Sequence, residues 1–291
     1  MENKFTYSVI IPFRDQLHLL ELAVKSILDR EDIQVIIIDN SKKSLESSFN
    51  WVHDKAELLY LTSNPNGGAG CARNLGLKAA RGKWLLFLDS DDYFLPDAFD
   101  SFDKYAKSDY DIVFFNKKSV MLSTGQPSNR ANKSSELVVN NKLDILRYRN
   151  SSPCSKMIKH DIVTSNQIEF EEIRVSNDTR FSYMVGAHAN RVIADPTIVY
   201  CVTESEKDGS LSYQINPENE FLHYKAAVDR NTFLESIGHS EFKAVLIHRI
   251  ISAIKLFGIK EGFRYFNYAR KYRQNVLGSF KSIWREYILN K

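Results

Sequence analysis

Cysteine is scarce in this sequence of 291 residues. Only Cys71, Cys154 and Cys201 occur, far apart and odd in number. A disulfide framework or a zinc site needs cysteines in even numbers or at short spacing, so neither is expected, and a reducing compartment is. Long hydrophobic runs are missing too. The best candidate, "AVLIHRIISAIKLFGI" (244–259), is broken by His248, Arg249 and Lys255, and no run reaches the roughly 18 apolar residues of a spanning helix. The start, "MENKFTYSVIIPF", enters a strand-like run within seven residues and has no signal-peptide core. The expectation is a cytoplasmic protein. A large excess of one charge is absent as well: the formal net charge is +3. That small sum hides an asymmetry. Residues 241–291 hold eleven Lys/Arg against three Asp/Glu, which leaves residues 1–240 at −5.

What is present is a regular alternation over the first 115 residues. "YSVIIP" (7–12), "IQVIIID" (33–39), "ELLYLT" (57–62), "WLLFLD" (84–89) and "DIVFF" (111–115) read as strands. Between them lie helical patterns at 15–29, on to about Lys55, at 68–80 and at 96–107, the last with Pro96 at its start. Near-continuous apolar strands separated by helices imply a parallel sheet covered on both faces, a Rossmann-like α/β domain. No internal repeat is evident. Residues 116–135 are polar and read as a loop or the start of a second region. Beyond them, helices are expected at 141–149 and 178–189 and short strands at 191–195 and 197–202. Residues 219–291 read as wholly helical.

Chemistry concentrates at the strand ends, where open α/β sheets bind ligands. The first strand ends in "PFRD" (12–15), the second in Asp39, and the fourth in Asp89-Ser90-Asp91-Asp92. Three carboxylates within four positions repel one another unless water, a cation or hydrogen-bond donors offset the charge. A strand-end Asp accepts the paired hydrogen bonds of ribose hydroxyls or a pyrimidine N–H. A second Asp two residues on can face Mg²⁺ or Mn²⁺, which prefer oxygen ligands and share them with substrate phosphates. The cluster therefore reads as a nucleotide-diphosphate and metal site. An Asp after a strand also serves as a turn residue or helix N-cap, and Asp92 before "YFLPDAF" fits that description.

Five segments in order resemble the family 2 glycosyltransferases of GT-A fold, mostly bacterial enzymes of surface-polysaccharide assembly. They are "YSVIIPFRDQLHLLELAVKSIL" (7–28), "IIIDNS" (36–41), "NPNGGAGCARNLGLKAARGKWLLFLDSDDYFLPDAF" (64–99), "PCSKMIKHDIV" (153–163) and "SNDTRFSYMVGAHANRVIADPTIVYCV" (176–202). The resemblance spans about the first two hundred residues. It implies a donor-binding half over 1–115, an acceptor-binding half over 116–218, and a basic helical extension over 219–291 that it does not cover. By the resemblance, Asp39 touches the nucleobase, Arg73 lies near the base or diphosphate, Asp89 holds the ribose or donor sugar, and Asp91 holds the metal. Pro12, Arg14, Gly68 and Ser90 complete the donor side. The second strand departs from the usual D-D-G-S pattern, reading Asp39-Asn40-Ser41-Lys42.

Sugar transfer to a hydroxyl needs the leaving diphosphate neutralised and the hydroxyl deprotonated by a carboxylate or His within reach. In the family the base is the Asp of a Glu-Asp pair opening a helix. The matching position is Asn177-Asp178, so Asp178 is the implied base and Asn177 replaces the usual Glu. Asp178 also suits the first turn of helix 178–189, where it complements the dipole. The acidic run 169–173 reads as a solvated loop and Lys156 as a surface lysine. The loop 203–212 falls where the family often has a mobile segment over the donor. The implied activity is inverting, metal-dependent transfer from a nucleotide-diphosphate sugar, a UDP-sugar first, to a glycan or lipid-linked acceptor. A sugar-phosphate nucleotidyltransferase would carry glycines right after the first strand, and "PFRDQLHLL" has none. A dinucleotide oxidoreductase would place "GGAGCARNLG" after the first strand, not the third. A non-catalytic sugar-nucleotide-binding subunit remains the rival from another class.

The tail interleaves Phe263, Tyr265, Phe266, Tyr268, Tyr272, Phe280, Trp284 and Tyr287 with Arg and Lys. No nucleic-acid platform is suggested. The pattern fits helices packed with basic faces in water, or docking on the inner membrane surface through basic amphipathic helices.

Overall fold

The computed structural model describes residues 5–45, 57–205 and 215–278. The chain divides into two compact units, Met1–Glu206 and Lys207–Lys291.

The first unit holds β1 (Phe5–Phe13), α1 (Leu17–Lys25), β2 (Ile33–Asp39), β3 (Leu58–Thr62), α2 (Gly68–Ala79), β4 (Gly82–Phe87), β5 (Tyr93–Phe94), α3 (Ala98–Ala106), β6 (Ile112–Met121), α4 (Asn132–Val139), α5 (Leu143–Arg149), β7 (Lys156–Lys159), α6 (His160–Ser165), α7 (Asn177–His188) and β8 (Val192–Glu204). The strands form one sheet in the order β3-β2-β1-β4-β7-β6-β8-β5. β1 to β4 run parallel; β1, β2 and β4 have the continuous apolar composition of strands buried on both faces, while β3 is a half-buried edge strand. β7 is antiparallel to both β4 and β6, while β6 and β8 are parallel.

Two expectations need correction. The polar stretch after residue 115 does not leave the sheet, because β6 continues through Met121. The two strands expected at 191–195 and 197–202 are a single strand, β8, which passes through Pro196. Both surprises lie along the β6–β8 ladder, where the register shifts twice, between Phe115 and Asn116 and between Asn116 and Lys117. Such bulges absorb residues that break the apolar alternation.

The core sits on both faces of this sheet. Phe94, Phe99, Phe102 and Phe115 meet edge to face at 5.2–5.7 Å. Trp84 is fully buried and donates its indole N–H to Ala106 O at 3.1 Å. Each buried ring stabilises the fold by about 2–3 kcal/mol. Phe170 stacks on Phe181 at 3.9 Å, and both meet Phe87 edge on.

The second unit is helical where described: α8 (Pro217–Ser236), a 3₁₀ turn at Ser240–Phe242, α9 (Ile247–Phe257) and α10 (Ile259–Lys271). Asn216 caps α8 by accepting from Asn219 N at 2.9 Å, with proline at the first turn. Gly258, at φ 93°, separates α9 from α10. Tyr224, Val228, Leu246, Ile250, Ala253, Tyr265 and Ala269 form its core. No helix among the described residues is long and apolar enough to cross a membrane. Part of the expected donor-covering loop (206–212) and the tail aromatics Phe280, Trp284 and Tyr287 lie outside the described residues.

Candidate active site

The carboxyl ends of β1, β2 and β3 are knitted together. Asn40 N donates to Phe13 O, Asp15 N to Ser41 Oγ, and Ser63 N to Asp39 O, all at 2.8–3.0 Å. Asn40 Nδ2 reaches Ser63 Oγ and Asn64 O at 2.9 and 2.6 Å. Asp39 is fully buried at the centre. One oxygen accepts from Ser41 N at 2.8 Å, the other from Leu45 N at 2.9 Å and from the Tyr60 hydroxyl. Burial pushes this carboxyl up, but the donors outweigh it and hold it below the ordinary range. The carboxylate is thus engaged by its own loop. Pro12 lies on β1 opposite Ile38. Arg14 is exposed and pairs with Asp15 at 3.5 Å.

The second group gathers around α2. Gly68 adopts φ 67°, a backbone that favours glycine, at the first position of the helix. Gly70 admits close contact: a Cβ there would lie 2.0 Å from Glu171 O. This approach lets Arg73, one turn on, enter the interior at 7% exposure. Its guanidinium donates to Asp89 Oδ1 at 2.6 Å and to Asn177 Oδ1 at 3.0 Å, and lies 5.4 Å from the Phe170 ring centre. Its Nε is buried without a partner. Burial disfavours the charge, but the surrounding groups, Asp89 foremost and Asp178 among them, together more than offset this.

The aspartate cluster splits into distinct roles. Asp92 N donates to Asp89 O at 3.0 Å, closing a turn with Ser90 and Asp91 at its tip. Asp92 is not a helix cap. Its carboxylate accepts from Tyr200 Oη at 2.8 Å and Thr203 N at 2.7 Å, tying the turn to β8. Burial pushes it well up, with Asp91 and Asp89 adding to the effect. Asp91 is exposed at the tip. Its crowded surroundings and the Asp89 charge push its pKa up to about 6.

Asp178 stands in the first turn of α7, two residues after Ser176, whose φ of 58° turns the chain into the helix. It is half-buried. Burial raises its pKa, Arg73 pulls it down and Asp89 pushes it up. Arg73 of α2 therefore holds Asp89 of the β4 turn and Asn177 of α7, and its charge acts on Asp178 in the same helix turn. Asp91 senses the same guanidinium.

The run 169–173 is a loop, but not a wholly solvated one. Phe170 N and O pair with the Asn74 amide at 2.8 and 3.0 Å, and Glu171 N donates to Asn177 O at 3.1 Å. Lys156 is not a surface lysine: it is 5% exposed, its Nζ donates to Asn150 O at 3.0 Å, and burial drops its pKa to about 7. His188 is exposed, and His160 Nδ1 meets Gly82 O at 3.0 Å. Sequence reasoning missed Tyr60, Tyr200, Thr203 and Lys117, which no spacing singled out and which strand order brings to these clusters.

Among the described residues no three His, Cys, Asp or Glu side chains converge as a metal cage. The donor chemistry still fits a hard cation. Asp91 offers an open carboxylate whose ionisation is opposed by Asp89, and Mg²⁺ or Mn²⁺ takes one or two carboxylates and completes its shell with phosphates and water.

A mixed sheet whose leading strands are parallel, with a carboxylate turn after β4 and a basic hub beneath it, defines an α/β nucleotide-sugar transferase fold. Residues 8–162 match the Glycosyl transferase family 2 profile, and the chain belongs to that family. Asp178 lies beyond the matched segment. Among curated relatives, the chain is 25% identical over 260 residues to the poly(ribitol-phosphate) beta-N-acetylglucosaminyltransferase TarS of Staphylococcus aureus, covering 84% of this chain and 44% of that protein. It is 26% identical over 228 residues to a poly(ribitol-phosphate) beta-glucosyltransferase of Bacillus spizizenii, covering 73% and 34%. The chain thus spans less than half the length of these two relatives. The solved structure of S. aureus TarS 1–349 in complex with UDP-GlcNAc superposes with a TM-score of 0.69 at 22% identity, over 91% of this chain and 80% of that one. This likeness carries the fold.

Proposed function

We propose that this chain transfers a sugar from a nucleoside diphosphate donor, a UDP-sugar, to a hydroxyl of a glycan or lipid-linked acceptor in bacterial surface-polysaccharide assembly, on the cytoplasmic side of the membrane. The observation that carries the reading is the Arg73 hub. One buried guanidinium holds Asp89 of the β4 turn and Asn177 at the start of α7, which ties the donor-side turn to the helix that carries Asp178. The printed activities of the two poly(ribitol-phosphate) relatives and the UDP-GlcNAc complex of TarS support the donor class.

In this reading Asp89 accepts from donor hydroxyls with the oxygen that Arg73 leaves open. Asp39 keeps the β2 loop in shape and meets the base only if Tyr60 yields. Arg14, Pro12, Gly68 and Ser90 line the donor side. Asp91 would hold Mn²⁺ or Mg²⁺, which supplies charge neutralisation of the departing diphosphate. Asp178 takes the acceptor hydroxyl proton as the new C–O bond forms at the anomeric carbon and the C–O bond to phosphate breaks. A single displacement inverts that carbon. Burial helps Asp178 here, because a base with a raised pKa holds the proton better at neutral pH.

Asp178→Asn separates an enzyme from a sugar-nucleotide-binding subunit. UDP release from a UDP-sugar panel should fall by roughly 100-fold or more while UDP binding stays. A wild-type protein that binds UDP but never turns over, with any acceptor tried, would favour the binding subunit.

In the C-terminal unit, Leu256, Ile259 and Phe263 are 58%, 64% and 60% exposed, beside Lys255 and Lys260. This supports docking of α9 and α10 on an anionic membrane surface. Co-sedimentation with anionic vesicles should fall in Leu256→Ser/Phe263→Ser. Unchanged binding would end that part of the reading.

A further inference from the structure

Two lysines in the first unit have no role in the scheme above. Lys156 opens β7 opposite Phe114 of β6, and its Nζ lies 5.4 Å from the Phe114 ring centre. It is 5% exposed, yet its ammonium makes one hydrogen bond, to Asn150 O. An ammonium carries three donors, so two are left for a ligand. Lys117 follows the double register shift on β6 and pairs with Tyr200 of β8. Bulges beside active sites re-aim side chains. Here the half-buried Lys117 comes under the charges of Asp92 and Asp89 and of Lys156. Among the described residues neither lysine has a carboxylate within ion-pairing distance.

Lys156 pairs with Phe114, and Lys117 follows three residues on along the same neighbouring strand, β6; burying such amines without a counter-ion works against folding. Both lose affinity for their protons: burial is the main cause, and their mutual repulsion contributes for Lys156. Cys154 is no ready counter-ion, because burial pushes its thiol up and keeps it neutral. Asp178 acts on Lys156 only at a distance. An oxyanion between the two ammonium groups would satisfy the open donors and remove the repulsion at once. Phosphate suits this best, since it offers three acceptor oxygens and up to two negative charges.

We propose that Lys117 of β6 and Lys156 of the neighbouring β7 form a phosphate-binding subsite. The proposal rests on the donor-site reading above and adds a specificity element to it. The phosphate comes from one of two sources: the diphosphate of the donor, or a phosphate group carried by the acceptor.

The test uses the full chain and its variants Lys117→Met, Lys156→Met and the pair, titrated calorimetrically with UDP, UMP and inorganic phosphate. Lys156→Met removes a buried unpaired cation, so its thermal midpoint should rise, not fall. Lys117→Met, at a half-buried strand position, keeps the test open if the other fails to fold. If the subsite holds the donor, UDP affinity falls at least tenfold in the variants while UMP affinity stays within twofold. If it holds the acceptor, UDP affinity is unchanged, and phosphate binding to the UDP-saturated wild type disappears in the variants. The proposal is overturned if the wild type binds UDP and the folded variants match it with UDP, UMP and phosphate alike. A wild type that binds no UDP sinks the donor reading instead. The subsite then survives only if the wild type binds phosphate and the variants do not.

Discussion

Replacing Arg73 by methionine tests the hub in two independent ways. Methionine keeps much of the side-chain volume beside Phe170 and removes only charge and donors. Deleting one partner of a buried ion pair costs about 3–5 kcal/mol. The Asp89 side chain is 38% exposed, so water takes over part of its solvation and the cost drops toward the surface range. The bond from the charged guanidinium to Asn177 adds about 1.5–3 kcal/mol. Loss of the unpartnered Nε returns about the same amount. The net is a destabilisation of about 2 kcal/mol, a fall of about 4–8 °C in the midpoint of a unit of this size. The second readout is catalytic. Arg73 pulls the Asp178 pKa down, so its removal raises that pKa. A base works deprotonated, and activity rises with pH through its pKa. The acid limb of kcat should therefore move to higher pH in the variant. Scanning fluorimetry gives the first number and a pH–rate profile the second. An acid limb that stays put or moves down, in a variant that still folds, would refute the hub as the group that tunes Asp178.

Gly70→Ala should destabilise the first unit by about 2 kcal/mol or more, because its Cβ would lie 2.0 Å from the Glu171 carbonyl oxygen, a backbone atom that cannot step aside. Chemical denaturation checks this, and a neutral substitution would mean that the α2 approach to the 169–173 loop is looser than described. Tyr60→Phe removes a donor from buried Asp39 and should cost about 1–2 kcal/mol near neutral pH. The folded Asp39 pKa is depressed, so its contribution is present above the unfolded carboxylate value of about 4 and is lost as pH falls through the folded value. The cost should thus shrink in acid, and urea midpoints at neutral and acidic pH that show it growing would contradict the assignment.

The sequence carries the donor half plainly, and the reason is periodicity. "IQVIIID" is buried along its whole length and is β2; "GAGCARNLGLKAA" begins with glycine and is α2; "NDTRF" opens α7. Each has a local signal that tertiary structure then respects. The β6–β8 ladder has such a signal only in part: "DIVFF" and residues 191–195 and 197–202 read as strands, but the second half of β6 does not. Asn116, Lys117, Lys118 and Ser119 are polar, and only a neighbouring strand with a shifted register makes them a strand. The antiparallel insertion of β7 between β4 and β6 is equally silent, since four residues, "KMIK", carry no direction. The site follows the same division. Arg73, Asp89, Asp91 and Asp178 stand in motifs. Tyr60, Lys117, Tyr200 and Thr203 act through strand order, which no spacing along the chain encodes. Lys156 stood in a motif, but its burial depends on Phe114 and on the strand beside it.

The most direct measurement is the thermal midpoint of the wild type and Asp91→Ala with UDP, GDP, dTDP or CMP, each with and without Mn²⁺. A ligand at about 100 times its Kd stabilises by about 2.7 kcal/mol, well above detection. The account predicts a rise with UDP that needs Mn²⁺ in the wild type and is absent in Asp91→Ala. No rise with any nucleotide, with or without the metal, would contradict it and would leave the carboxylates of the β4 turn as structural residues only.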